Sequence, residues 1–143
     1  MFNYILATLA LLALIWVSVT RFPFYLPRAD DRTPPAPDGP ARVFGFATLT
    51  NPLVRLVVVG RPVPAEVARL RGWKRGTGRD IDQAQETVLE GVVFTVSPEE
   101  MKRLDRYERT GRKYRRDLMM LEDGQQAWVY RLIGETGADA VED

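Results

Sequence analysis

The chain has 143 residues, is 45% hydrophobic and 27% charged, and carries a net charge of +1. That length makes one compact domain, and the small net charge gives no case for nucleic acid as a partner. Cysteine and histidine are both absent, which excludes disulfides, thiolate chemistry, Ser-His-Asp triads, imidazole bases and the usual zinc sites. Acid–base chemistry near neutral pH then falls to a carboxylate, lysine, tyrosine or water.

Residues 4–20 (YILATLALLALIWVSVT) are uncharged, and aromatic residues flank them at both ends. The stretch approaches the roughly 20 residues needed to cross a bilayer. The first residues hold no Lys or Arg, and Ser18-Val19-Thr20 is a poor signal-peptide cleavage site, so residues 1–20 are expected to be an uncleaved, single-pass transmembrane anchor. Arg21, Arg28 and Arg32 follow the span, which by the positive-inside rule puts the rest of the chain in the cytoplasm. Residues 21–40 are rich in proline and charge and read as a stiff, extended linker.

The domain is expected over residues 41–134. An apolar strand runs from Arg42 to Leu49, and Asn51-Pro52 opens a short helix reaching about Val59, capped by Thr50 or Asn51. Val67–Lys74 reads as a strand, Arg75–Ala84 as a polar loop and Val88–Val96 as a buried, β-branched strand. Ser97-Pro98-Glu99-Glu100 is a capping box opening a helix. Tyr114–Leu121 and Gln126–Leu132 then form a hairpin through Glu122-Asp123-Gly124, and residues 135–143 form an acidic tail.

Two places in this pattern bear on chemistry. Met101, Leu104 and Glu108 fall on one stripe of the Ser97 helix, so Glu108 faces the core and must be paired, protonated or at work. On pattern alone the favoured accounts are a buried ion pair with a nearby arginine, or a helix that has already ended by Glu108. In Phe46-Ala47-Thr48-Leu49-Thr50-Asn51-Pro52 a strand gives way to a helix, so successive N–H groups there could cradle an oxyanion, or simply be capped.

Other features are weaker. The run Arg106, Arg109, Arg112, Lys113, Arg115, Arg116, with Tyr107 and Tyr114 interleaved, could bind nucleic acid or anionic lipid headgroups. That would make the chain a non-catalytic membrane-surface interaction module. The safer reading is a solvated helix end and strand edge, partly neutralised by Asp105 and Asp117. Asp80, Asp82 and Glu86 do not match a calcium loop, and Gly76-Thr77-Gly78 lacks both nucleotide-binding fingerprints.

Two motifs nevertheless resemble a known family. Val43-Phe44-Gly45-Phe46-Ala47-Thr48-Leu49 is similar to the strand and Tyr-Gly-Ser/Thr-Leu turn that open γ-glutamylcyclotransferase-like (AIG2-like) proteins. Glu90-Gly91-Val92-Val93-Phe94, Leu104-Asp105-Arg106-Tyr107-Glu108 and Tyr114-Arg115-Arg116 follow in the family's order as Gly-Val, Leu-Asp-x-x-Glu and Tyr-x-Arg. The chain departs from the pattern at Phe46 (Tyr), Ala47 (Gly) and Arg109 (Gly).

The resemblance implies an α+β fold: a small mixed β-barrel of five to six strands with flanking helices. It also implies that Glu108 is the general acid/base and that Phe46, Ala47, Thr48, Leu49 and Tyr114 line the substrate site. The implied substrate is a small γ-glutamyl compound cyclised to 5-oxoproline, with neither metal nor other cofactor. Burial beside Met101 and Leu104 would raise the Glu108 pKa toward that of a useful base.

Overall fold

The first strand of the domain, β1 (Ala41–Gly45), sends Val43 to one face and Phe44 to the other, and both are buried. A strand covered on both faces belongs in the middle of a sheet. In the computed structural model, which describes residues 1–133 apart from Arg79 and the side chain of Phe2, β1 is the central strand. The acidic tail expected at 135–143 lies outside the described residues.

The chain runs through α1 (Phe2–Arg21), β1, a 3₁₀ turn (Thr48–Thr50), α2 (Pro52–Val59), β2 (Glu66–Arg75), β3 (Ile81–Val96), α3 (Pro98–Glu108), β4 (Tyr114–Met120) and β5 (Gln126–Leu132). The strands form one mixed sheet in the order β2-β3-β1-β5-β4. β1 pairs parallel with β5, and the other pairings are antiparallel. The sheet curls into a half-barrel, and just past β4 the Glu122 N–H donates to Arg69 O on β2 at 2.9 Å. This is the expected α+β architecture, with five strands.

The pleat divides the apolar side chains into two cores. Phe44, Leu70, Ile81, Leu89 and Val129 fill the concave interior. Val43, Phe94, Val96, Val58, Met101 and Leu104 fill the layer between sheet and helices.

Two strand boundaries differ from expectation. The first strand stops at Gly45 instead of reaching Leu49, because the chain doubles back there. A Cβ on Gly45 would lie 2.7 Å from Leu49 Cβ. The polar loop expected at 75–84 is strand at both ends: β2 runs to Arg75 and β3 starts at Ile81, with Trp73 paired to Gln83, Lys74 to Asp82 and Arg75 to Ile81. Hydrophobic periodicity misses such a hairpin end because backbone bonds sustain it while Ile81 alone of residues 81–84 is buried. A register shift between Arg71 and Trp73, with Gly72 at φ 83° and Glu86 at φ 65°, takes up the mismatch.

Gly91 is where the strands need glycine most. A methyl there would collide with the Gly45 carbonyl and lie 2.7 Å from Phe44 Cζ. Backbone cannot swing aside as a side chain can, so Gly91→Ala is expected to destabilise the fold by about 1–3 kcal/mol or more. Chemical unfolding of the detergent-solubilised chain measures this, and an unchanged midpoint would contradict the packing described.

Residues 22–36 form neither helix nor strand and turn twice, with Leu26 N–H donating to Pro23 O at 3.1 Å and Thr33 N–H to Asp30 O at 2.9 Å, and they are docked on the domain. Leu26 is buried, and Ala36 packs on the helix-side core. Arg106 donates to Pro27 O at 2.7 Å and Leu26 O at 3.3 Å, and Arg116 donates to Pro34 O and Pro35 O at 3.1 and 3.2 Å. The Thr33 hydroxyl donates to Thr110 O at 2.7 Å. The segment is thus a strap across α3.

Candidate functional site

Asn51 starts α2 by accepting from Leu53 N–H at 2.8 Å, with Pro52 at the first position. The capping reading of this turn therefore holds for Asn51. Thr50 instead turns its hydroxyl back to Ala47 O at 2.6 Å. Two arginines hold the carbonyls of the turn. Arg55, buried and stacked 5.7 Å over Phe94, donates to Leu49 O at 2.8 Å and Thr50 O at 2.9 Å. Arg75 donates to Phe46 O and lies 5.7 Å over the Phe46 ring. The Tyr107 hydroxyl donates to Thr48 Oγ1 at 3.1 Å, which ties the turn to α3.

At α3 the full capping box forms: Ser97 Oγ accepts from Glu100 N, and a Glu100 carboxylate oxygen accepts from Ser97 N. The helix runs to Glu108 and buries Met101, Leu104, Asp105 and Glu108. Arg109 ends it in the left-handed conformation, φ 53°. A glycine at this place avoids the cost of about 1–2 kcal/mol that an L side chain meets there. The Arg109 side chain is exposed, so it does not crowd Glu108.

Phe46, Ala47, Thr48, Leu49, Glu108 and Tyr114 meet around one cavity, with Phe44, Gly45 and Tyr130 completing its wall. All six residues singled out in the sequence therefore come together. The cavity measures about 20 Å³, close to what one ordered water needs. Ala47 has φ −121°, so nothing in its φ requires glycine.

Tyr130 and Asp105 are the site residues that sequence reading missed. The Tyr130 hydroxyl donates to Asp105 Oδ1 at 2.8 Å and lies 3.2 Å from Met101 Sδ. Burial, and after it the Asp105 carboxylate, hold the Tyr130 phenol well above its ordinary pKa, so it stays neutral. Asp105 also takes a two-pronged bond from Arg116, Nε to Oδ1 at 2.9 Å and Nη2 to Oδ2 at 3.2 Å, and both side chains are 2% exposed. A signal was available: Asp105 lies four residues after Met101, on the stripe that carries Leu104 and Glu108.

Four of the remaining candidates, Arg106, Arg115, Arg116 and Asp80, have structural partners. Arg106 and Arg116 point inward to the strap and Asp105, so the basic run is not the uniformly solvated face expected. Arg115 and Arg131 share Asp117. Asp80 accepts from Leu132 N at 3.1 Å, and among the described residues no group of three acidic side chains gathers as a metal site.

The half-barrel places the chain in a recognisable structural class. It superposes on two solution structures from Arabidopsis thaliana. At5g39720.1 is 24% identical, with TM-score 0.56, over 73% of this chain and 76% of that one. At3g28950.1 is 20% identical, with TM-score 0.56, over 71% and 67%. Within that class, residues 43–142 match the model of the family described as "Gamma-glutamyl cyclotransferase, AIG2-like", and the chain belongs to this family. No curated protein matches it.

Proposed function

We propose that this protein is a membrane-tethered cyclotransferase that releases 5-oxoproline from a γ-glutamyl amine or peptide. The observation that carries the proposal is that Glu108 and the 46–49 turn line one cavity. Glu108 takes a proton from the substrate's α-ammonium, and the freed amine attacks the γ-carbonyl of the same glutamyl group. N–H groups of the turn donate to the developing oxyanion. As the oxyanion collapses back to a carbonyl, the bond from the γ-carbon to the departing nitrogen breaks. Glu108 passes its proton to that nitrogen, then takes the second proton from the new ring nitrogen and hands it on as well. The ring nitrogen keeps one hydrogen, and the amine leaves as an ammonium. Because the attack is intramolecular, folding the substrate into a ring-closing geometry supplies much of the rate.

The same proposal places α1 in a membrane with the domain on its cytoplasmic side. Residues Asn3–Arg21 have mean hydropathy 1.9 and form a helix long and apolar enough to span, and Arg21, Arg28 and Arg32 follow it. The test is 5-oxoproline release by the full chain, in detergent, from a panel of γ-glutamyl amines and dipeptides.

A second reading, a pocket module that binds without catalysis, is favoured by the small cavity and by Ala47 in its wall. A γ-glutamyl group enters only if the turn opens. Ala47→Gly removes a methyl from this wall, so turnover or ligand affinity is expected to rise several-fold, while stability falls by about 0.5–1 kcal/mol. Absence of 5-oxoproline from every substrate, in both the parent and this variant, would leave the second reading standing.

A further inference from the structure

The strap and α3 enclose a second cleft, of about 540 Å³, at the foot of α1. Its wall includes Arg21, the last residue of α1, together with Lys102, Arg103 and Arg106 of α3. The anions in the same wall are already engaged: Asp105 is paired with Arg116, and Glu99 with Lys102 at 2.7 Å. Two of the four cations have fixed duties. Arg103 donates to Thr20 O at 2.8 Å and Val58 O at 2.7 Å, tying the end of α1 to the domain. Arg106 holds the strap through Pro27 O. Arg21 is exposed, and among the described residues Lys102 is held only by the exposed Glu99, whose side chain is 80% accessible. Pro23, Pro34, Pro35 and Ala36 supply an apolar side. Phe22 and Phe24, which bracket Pro23, are 67% and 76% exposed.

We infer that this cleft binds the headgroup of an anionic phospholipid. The inference rests on the reading of α1 as a membrane anchor. If α1 spans a bilayer, its last residue lies at the headgroup layer, and so does a cleft that Arg21 lines. There the phosphate meets Arg21 and Lys102, as cations beside anionic lipid do. Phe22 and Phe24 stand at the depth where aromatic side chains concentrate at membrane interfaces. Arg103 and Arg106 keep the cleft shaped while the other two cations engage the lipid. The lipid then fixes the domain's orientation on the membrane as well as its attachment.

Two measurements on the full chain test this. The first is flotation with phosphatidylcholine vesicles, which reports anchoring alone. The second is native mass spectrometry of the detergent-solubilised chain titrated with phosphatidylglycerol or phosphatidylcholine. The expected result is flotation with the neutral vesicles and preferential phosphatidylglycerol adducts. At about fivefold per cation, Arg21→Gln with Lys102→Gln lowers that preference roughly 25-fold. Glu99→Gln, which frees Lys102, raises it. Both exchanges are at exposed positions, so the fold tolerates them. Flotation without a phosphatidylglycerol preference, or a preference unmoved by the double variant, overturns the cleft and leaves the anchor intact. Failure to float overturns both. Glycerol phosphate that binds as tightly as the lipid overturns the lipid assignment in favour of a soluble phosphate.

Discussion

Glu108→Gln is expected to lower 5-oxoproline release by about 10²–10⁴-fold, the usual cost of losing a general base. Glutamine keeps the shape and much of the polarity of the side chain but cannot take the ammonium proton. The loss should appear in kcat, because the cavity wall keeps its form and substrate still enters. Glu108 is 8% exposed at the last turn of α3, so the exchange also reports on the competing role. Were Glu108 mainly half of a buried ion pair, the same change would cost about 3–5 kcal/mol of stability. Melting and turnover measured on one preparation separate the two roles. Near-parental turnover in the Gln variant would remove Glu108 from the mechanism, and a large fall in melting temperature would assign it a structural duty.

Much of this site was legible because its residues sit where local signals are strong. The capping box fixes the start of α3, and helical period then carries Glu108 to the same face as Met101 and Leu104. Asn51-Pro52 marks the start of α2 and so places the turn before it. What local pattern does not record is close approach between distant segments. Gly91 is needed because β3 presses on β1 at the Gly45 carbonyl and the Phe44 ring, and that need does not show in the residues beside it. Residues 21–40 read as a stiff, extended linker, and their docking as a strap escapes that reading for a related reason. The strap's composition does exclude helix and strand, but the partners that dock it, Arg106 and Arg116, lie some 80 positions further along the chain. The 75–84 segment was lost because a hairpin end held by backbone bonds needs no alternation of side chains. Asp105 was passed over because an acid beside an arginine run reads as neutralising charge at the surface. Helical period alone would have put it inside.

Asp105→Ala is expected to destabilise the protein by about 3–5 kcal/mol, because it leaves Arg116 charged, buried and without its carboxylate. The Asp105 and Arg116 side chains are each 2% exposed, so solvent screens little of that loss. The damage should spread along three connections. Tyr130 loses the acceptor at 2.8 Å that fixes its hydroxyl, and with it the cavity wall loosens. Arg116 is freed to move from Pro34 O and Pro35 O, so the strap loses part of its seat. The last turns of α3, which carry Glu108, lose the anchor that binds them to β4 and β5. Replacing the pair together, Asp105→Leu with Arg116→Met, should recover much of the global stability, since apolar substitutes for a whole buried pair are often neutral. It should not restore the strap, whose carbonyls would still lack their donor. Chemical unfolding measures the first effect, and limited proteolysis of residues 22–36 measures the second. A single Asp105→Ala variant within about 1 kcal/mol of the parent would show that the pair contributes no more than an exposed one. A double variant whose strap resists proteolysis as the parent does would show that Arg116 is not what seats it.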